Sequence, residues 1–258
     1  MRGPAGVTAL VLAETVAGSL WLLFLTPLWR EVRRGFFKLT GVVLVVLAVT
    51  TWYAVSAGLV EGDDAGRWSL RLAAALAIAT VLWVVLLFAR QQTGARVLGI
   101  ASVPMAAALL VAMAGTAEGA PLVAGLQLFA GAAFLGAVMD GLLLGHWYLT
   151  DRGLGRGPIN RFTMALLAAT GLEVVAVLLG GFGPSGDGSQ FNPLLTSAGL
   201  ASWIALGMVG TTALIAFLIR AALKGERSSA VQAATGFFYL AVITAMTAEF
   251  AAKVRFLP

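Results

Sequence analysis

Long apolar segments constrain this chain more than any other feature. Residues 41–50 (GVVLVVLAVT) and 72–89 contain almost no polar side chain. A run of about 18 apolar residues is long enough for a helix that crosses a bilayer. Within lipid, only helices and closed barrels satisfy every backbone hydrogen bond, and these runs lack the alternation of a barrel strand. The sequence therefore predicts an all-α, polytopic integral membrane helical bundle.

Composition agrees with this fold class. The chain of 258 residues is 60% hydrophobic and 11% charged, whereas a soluble domain has about 25% charged residues. A soluble fold of this length could not remove so much apolar surface from water. The bilayer is therefore the expected solvent for most of the chain.

Eight transmembrane helices are predicted. Their expected limits are 5–28, 37–60, 69–89, 97–115, 121–149, 160–181, 194–219 and 231–252. The whole chain, 1–258, is treated as a single membrane domain. The third and seventh helices end in similar basic sequences, FARQQTGAR and FLIRAALKGER. This likeness suggests a weak repeat of two four-helix halves, 1–118 and 119–258, although similar composition alone also produces such a likeness.

The loops differ in charge, and this difference predicts the orientation. Twelve of the 17 basic residues lie in or beside the loops after the first, third, fifth and seventh helices. Positive residues concentrate in cytoplasmic loops, so these loops are expected in the cytoplasm and both termini outside, in the inner membrane of a bacterium. The twelve are Arg30, Arg33, Arg34, Lys38, Arg90, Arg96, Arg152, Arg156, Arg161, Arg220, Lys224 and Arg227.

The same arginines explain the net charge of +5 without a nucleic-acid partner. Basic clusters at a membrane surface attract anionic lipid headgroups. The expected partners are the lipid bilayer and these headgroups, with other membrane or redox subunits as further candidates.

Missing residue types exclude several chemistries. There is no cysteine and only one histidine, His146. An iron–sulfur cluster, a c-type haem and a multi-histidine metal centre are therefore ruled out within this chain. No GxSxG or HExxH motif is present, so no catalytic residue and no metal ligand is named. A quinone remains as a candidate cofactor.

Four carboxylates lie within predicted spans: Glu14, Asp140, Glu173 and Glu249. An aspartate at the centre of a span costs about 2.5–3.5 kcal/mol, so such residues usually have a partner or a role. Glu14, Glu173 and Glu249 are expected in the outer half, with Asp140 deeper. Proton handling is favoured for Glu14, Asp140 and Glu173. The alternative is structural, with Glu14 or Glu249 paired with Arg71 near the outer face, and this structural role is favoured for Glu249.

A second candidate site is the sequence His146–Trp147–Tyr148 at the end of the fifth span. An imidazole can hydrogen-bond a quinone carbonyl and transfer a proton, and the aromatic rings could stack on the ligand. The bland alternative is an interfacial anchor. Asp140 is six residues from His146, so one helix face does not present both. Nearby, Gly136, Gly141 and Gly145 form small faces that favour close helix packing.

Three functions follow from these residues. The first is a membrane subunit that binds a quinone or lipid-like ligand and handles protons for a redox or other partner. The second is a small proton-coupled transporter or exporter, and the third is a structural scaffold subunit. Eight helices with an outward N-terminus resemble, in architecture only, the quinol-reacting membrane subunits of bacterial respiratory reductases. No motif of those subunits is matched, so no residue is carried over.

Single cysteines test the orientation, because the chain has no cysteine of its own. In cells with an intact inner membrane, an impermeant maleimide should label Glu61→Cys but not Gln91→Cys. Both should react once the membrane is dissolved. Labelling of Gln91→Cys in intact cells would place the basic loops outside.

Overall fold

The computed structural model describes residues 1–117, 119–151, 153–182, 199–225, 229–254 and 256. Eight of its helices are long and apolar enough to cross a membrane, which confirms the predicted helical bundle. The helices are α1 (Gly3–Leu25), α2 (Leu28–Glu31), α3 (Arg34–Gly58), α4 (Asp64–Phe88), α5 (Gln92–Ala114), α6 (Pro121–Thr150), α7 (Gly157–Gly180), α8 (Leu200–Leu223) and α9 (Ser229–Lys253). All but the short α2 are candidate spans.

The helix ends differ from the predicted spans. The first span ends at Leu25 and not at 28, because Thr26 precedes Pro27 and takes the extended conformation that such a position prefers. Conversely, α4 begins at Asp64 and not at 69, since the Asp63 side chain caps it by accepting from Gly66 N–H at 2.8 Å. Apolar runs mark the hydrocarbon region, whereas helical hydrogen bonding continues into the polar interface.

Some sequence predictions fall outside the described residues. They include the start of the seventh span before residue 199. They also include most of segment 180–193 (GGFGPSGDGSQFNP), whose Gly, Pro, Ser and Asp residues predict an exposed turn in an outer loop. The loop charges Glu118, Arg152, Asp187, Arg227 and Arg255 also lie outside the described part of the chain.

The long helices form two rings of four. In the first ring, α1 packs on α3 and α5, and α4 closes the ring between them. In the second ring, α6 packs on α7 and α9, and α8 closes it. The division between the rings falls where the predicted halves 1–118 and 119–258 meet. That the two halves are a sequence repeat stays a prediction.

The two rings meet mainly along α1 and α6, which approach almost backbone to backbone. A Cβ added at Gly18 would lie 1.7 Å from the carbonyl oxygen of Ala132, and one at Gly136 would lie 2.3 Å from the carbonyl carbon of Gly18. No side chain larger than hydrogen fits at either position. This is the close approach that small residues permit between membrane helices.

The neighbouring small face of α6 receives α9. A Cβ at Gly141 would meet the Phe238 ring at 2.2 Å, and one at Gly145 would meet the Thr235 hydroxyl at 2.6 Å. The predicted packing role of both glycines is therefore confirmed. Helix α6 thus has two glycine faces, one for each partner helix.

Ion pairs join the loops at one end of the bundle, here called the basic end. Arg161 holds Glu31 with two hydrogen bonds of 2.8 and 2.9 Å, and Arg33 lies 3.3 Å from Asp151. The hydrogen bonds from the Arg161 guanidinium lower the pKa of Glu31 below its usual value. At the opposite end, Arg2 N–H donates to the Gly58 carbonyl at 2.9 Å. The loops therefore alternate between two ends, as expected for eight spans.

Gly136→Ala should destabilise the bundle because its methyl group would overlap the α1 backbone. We expect a loss of about 1–3 kcal/mol, the range for overpacking, measured as lower thermal stability in detergent. Gly125→Ala on the same helix is the control, since a Cβ there meets nothing within 4 Å. Equal stability of the two variants would contradict the close α1–α6 contact.

Candidate functional site

Four ionisable side chains from three helices meet inside the bundle. Glu14 comes from α1, Glu173 from α7, and Glu249 and Lys253 from α9. Their exposed fractions are 0%, 2%, 0% and 1%, so helices surround them on all sides. We call these four residues the carboxylate–lysine cluster.

Lys253 is the centre of the cluster. Its Nζ lies 2.8 Å from Glu14 Oε1 and 2.9 Å from Glu249 Oε2. Glu249 and Lys253 are four residues apart on α9, the spacing that places two side chains on one helix face. Glu14 crosses from the other ring, so the ammonium group joins α1 to α9. The Phe256 ring lies 6.0 Å from Nζ and covers it from the chain end.

Gly131 on α6 makes room for this arrangement. A Cβ at Gly131 would lie 2.6 Å from Glu14 Oε1 and 2.9 Å from Glu249 Oε2. The two carboxylates therefore cross directly over the helix backbone. A larger residue at this position would push them apart.

The cluster has more oxygen atoms than donors. Glu173 and Glu14 both lie near Glu249 in the cluster. Among the described residues, Glu14 Oε2, Glu173 Oε2 and Glu249 Oε1 have no hydrogen-bond donor. Such buried, unpaired polar atoms are rare in proteins and need an explanation.

Two cavities lead from the cluster toward the end opposite the basic end. A small cavity of about 10 Å³ lies between Gln127, Glu173 and Lys253, comparable with the space that one water molecule needs. Beyond it lies a larger cavity of about 310 Å³ between α6, α7, α8 and α9. Gln127 lines both cavities, and its Nε2 donates to the Ala176 carbonyl at 3.2 Å.

Asp140 lies apart from the cluster. It is nine residues beyond Gly131 on α6 (140 − 131), which is about 13 Å closer to the basic end. Its carboxyl is 0% exposed and faces Ser19 of α1. Within the described ranges, the two Asp140 carboxyl oxygens and the Ser19 hydroxyl make no well-formed hydrogen bond. Asp140 is thus a second, isolated carboxyl at the junction of the two rings.

The structure does not bring the predicted His146–Trp147–Tyr148 site together. His146 is exposed on the bundle surface, whereas the Trp147 ring packs over Gly35 of α3. Tyr148 is buried, and its hydroxyl donates to the Gly155 carbonyl. Consecutive residues of a helix point about 100° apart, so the three rings face three different surroundings. Trp147 and Tyr148 fix the end of α6 by packing and hydrogen bonding.

Two sequence expectations are wrong. Glu249 does not reach the interface, because it is fully buried in the bundle. Neither Glu14 nor Glu249 pairs with Arg71, which is exposed and lies over the Trp68 ring at 5.2 Å. Both carboxylates pair with Lys253 instead.

Sequence reasoning also missed two residues of this site. Lys253 lies one residue beyond the predicted last span, 231–252, although its spacing of four from Glu249 could have indicated a shared helix face. Gln127 could have been found as the one polar side chain between residues 121 and 135.

Neither a metal-ligand arrangement nor a known relative identifies the role of the cluster in the described part of the chain. In the described part of the chain, no group of three His, Cys, Asp or Glu residues is arranged to hold a metal ion. Comparison with protein-family models, curated proteins and solved structures found no match to this chain. The function is therefore inferred from the chemistry of the cluster.

Removal of the ammonium group should destabilise the protein. Lys253→Met leaves the buried carboxylates without a counter-charge, and breaking a buried ion pair costs about 3–5 kcal/mol. Unfolding in detergent should show this loss, whereas Lys224→Met at the exposed basic end should show little change. Adding Glu14→Gln to Lys253→Met should restore part of the stability. Additive losses would contradict the ion pair.

Proposed function

We propose that this multi-pass membrane protein transfers protons through the carboxylate–lysine cluster and couples their movement to the transport of a small solute. The observation that supports this proposal most strongly is the placement of three carboxyls and one ammonium group, all at most 2% exposed. Ionisable residues inside a membrane protein are costly and usually mark ion or proton pathways.

Charge balance favours protons as the transferred species. With every group ionised, three carboxylates and one ammonium have a net charge of −2. Each uncompensated buried ion costs several kcal/mol, so the stable cluster should hold one or two protons. The unpaired oxygens of Glu14, Glu173 and Glu249 are where such protons would sit. A proton could then pass between neighbouring carboxyls without a large movement.

Access from the end opposite the basic end supports the same function. The small cavity beside Glu173 could hold one water, and the larger cavity beyond it is big enough for a small solute. Gln127 lies between the two cavities and can hydrogen-bond both water and solute. Solute and proton would therefore meet at one place, as coupled transport requires.

Asp140 is the proposed next proton acceptor toward the basic end. About 13 Å of α6 separates it from Gly131 in the cluster, too far for direct transfer. Water molecules or a helix movement would have to bridge this distance. The buried Ser19 hydroxyl beside Asp140 can serve as the first partner of that bridge.

We further propose an orientation with both termini outside the bacterial inner membrane. The basic loops then face the cytoplasm, where positive residues concentrate. The cluster and its cavities lie in the outer half, so protons would enter from outside. This is the side from which a respiratory proton gradient drives uptake.

Glu173→Gln should abolish most proton transfer. Glu173 lines the small cavity but makes no ion pair with Lys253 within the described residues, so the amide should leave the fold intact. In liposomes with a potassium diffusion potential, we expect proton entry to fall about tenfold or more, the scale of losing a proton-transfer group. A pH-sensitive dye inside the liposomes measures it.

Glu61→Gln, at an exposed loop position, is the matched control and should transfer protons like the wild type. Thermal unfolding of each variant verifies folding. Equal proton flux through wild type and Glu173→Gln would overturn the proposal.

A second candidate is a subunit that binds a quinone or similar lipid-like ligand. An apolar cavity of about 440 Å³ favours it, lined by Val7 of α1, Ile204 of α8, and Met246 and Phe250 of α9. Helix α9, which forms part of this cavity wall, also carries Glu249 and Lys253 of the cluster. Quinone in an organic extract of the proton-competent protein would select this candidate over solute transport.

A further inference from the structure

A separate cavity at the basic end combines positive charge with apolar surface. It has a volume of about 250 Å³ and lies between the end of α1, the turn into α2, and the first turns of α5. Arg30 and Arg96 both line it. It belongs to the first ring, whereas the carboxylate–lysine cluster lies mainly in the second. We call it the arginine groove.

The two guanidinium groups of the groove have no partner within the part of the protein that the structure describes. Both side chains are exposed, and in the described ranges neither makes an ion pair or hydrogen bond, unlike Arg33 and Arg161 of the same end. No carboxylate is among the described residues that line the groove. Two cations beside one cavity repel each other, and an anion between them would remove that repulsion. A phosphate group suits them, because guanidinium binds its oxygens in a bidentate manner.

Apolar side chains extend the groove toward the membrane. Leu25 is 70% exposed and Ile100 is 48% exposed, and both line the same cavity. Ile100 is four residues beyond Arg96, so it lies on the same face of α5 and about 6 Å deeper. A molecule with a phosphate at the arginines would thus have its apolar part against Leu25 and Ile100.

The remaining wall of the groove is formed by packed aromatic rings. Trp29 packs on Phe37 with ring centroids 4.6 Å apart and on Phe24 at 5.9 Å. The indole ring is therefore held in place before any ligand binds. A preformed wall lowers the entropy that binding would cost.

From this arrangement we propose that the arginine groove is a specific binding site for the phosphate of an anionic phospholipid. The phosphate lies between Arg30 and Arg96, and one acyl chain follows Leu25 and Ile100. Free phosphate would use the arginines alone, so the exposed apolar side chains favour a lipid. The site is independent of the proposed proton transfer, since none of its residues belongs to the cluster or its cavities.

Native mass spectrometry of the full chain with added phosphatidylglycerol tests the site. The double variant Arg30→Gln/Arg96→Gln should lower the affinity about tenfold or more, because each lost charge-assisted bond is a large effect. The control Arg220→Gln/Lys224→Gln removes the same charge from the same end and should change the affinity about twofold or less. Arg96→Lys keeps the charge but loses the bidentate guanidinium geometry. Its affinity should lie between those of the wild type and the double variant.

Other ligands and a second variant complete the test. Phosphatidylcholine should bind weakly to every variant. Phosphatidylglycerol should raise the thermal stability of the protein, whereas inorganic phosphate should not. Ile100→Ala should weaken lipid binding without any change of charge. Equal losses in the two double variants would overturn the site in favour of general surface attraction. Equal stabilisation by inorganic phosphate would overturn its assignment to a lipid.

Discussion

The close approach of α1 and α6 is the contact on which the rest of this structure depends. Gly18 and Gly136 meet with no space for a side chain, so the first helix of each ring lies along the other. This contact brings Glu14 of α1 over Gly131 of α6, within reach of the second ring. Without it, the carboxylate of the first ring could not join the other three ionisable groups.

The ion pairs within the cluster offset part of the free-energy cost of burying its ionisable side chains. Lys253 balances the charge of one carboxylate and joins α1 to α9. The excess carboxyls have no counter-charge. They do not add stability in the same way, because an uncompensated buried ion costs several kcal/mol. Their position beside a water-sized cavity is the feature on which the proposed exchange of protons depends.

The apolar runs allowed eight helices to be predicted, because lipid leaves the backbone few alternatives. The cluster could be predicted only in part. Depth along each helix placed Glu14, Glu173 and Glu249 in one half, but a single sequence does not show that α1 contacts α9. Lys253 could not be predicted from hydropathy, because the apolar pattern of the last span ends just before this charged residue. The site at His146 was expected from adjacency in sequence, whereas helical rotation separates the three rings.

Helix α9 is held by side-chain packing toward the basic end and by ion pairs toward the other end, and only the ion pairs depend on protonation. Toward the basic end, Phe238 and Thr235 fill the space over Gly141 and Gly145, and such packing does not respond to charge. Toward the other end, α9 is held by the ion pairs of Lys253 with Glu14 and Glu249. Once the cluster holds the one or two protons proposed above, a further proton on Glu14 or Glu249 would remove an ionic attraction there and leave the packed part unchanged. We therefore expect gain of a proton to loosen only the end of α9 beside the larger cavity, where its residue Ala252 forms part of the wall.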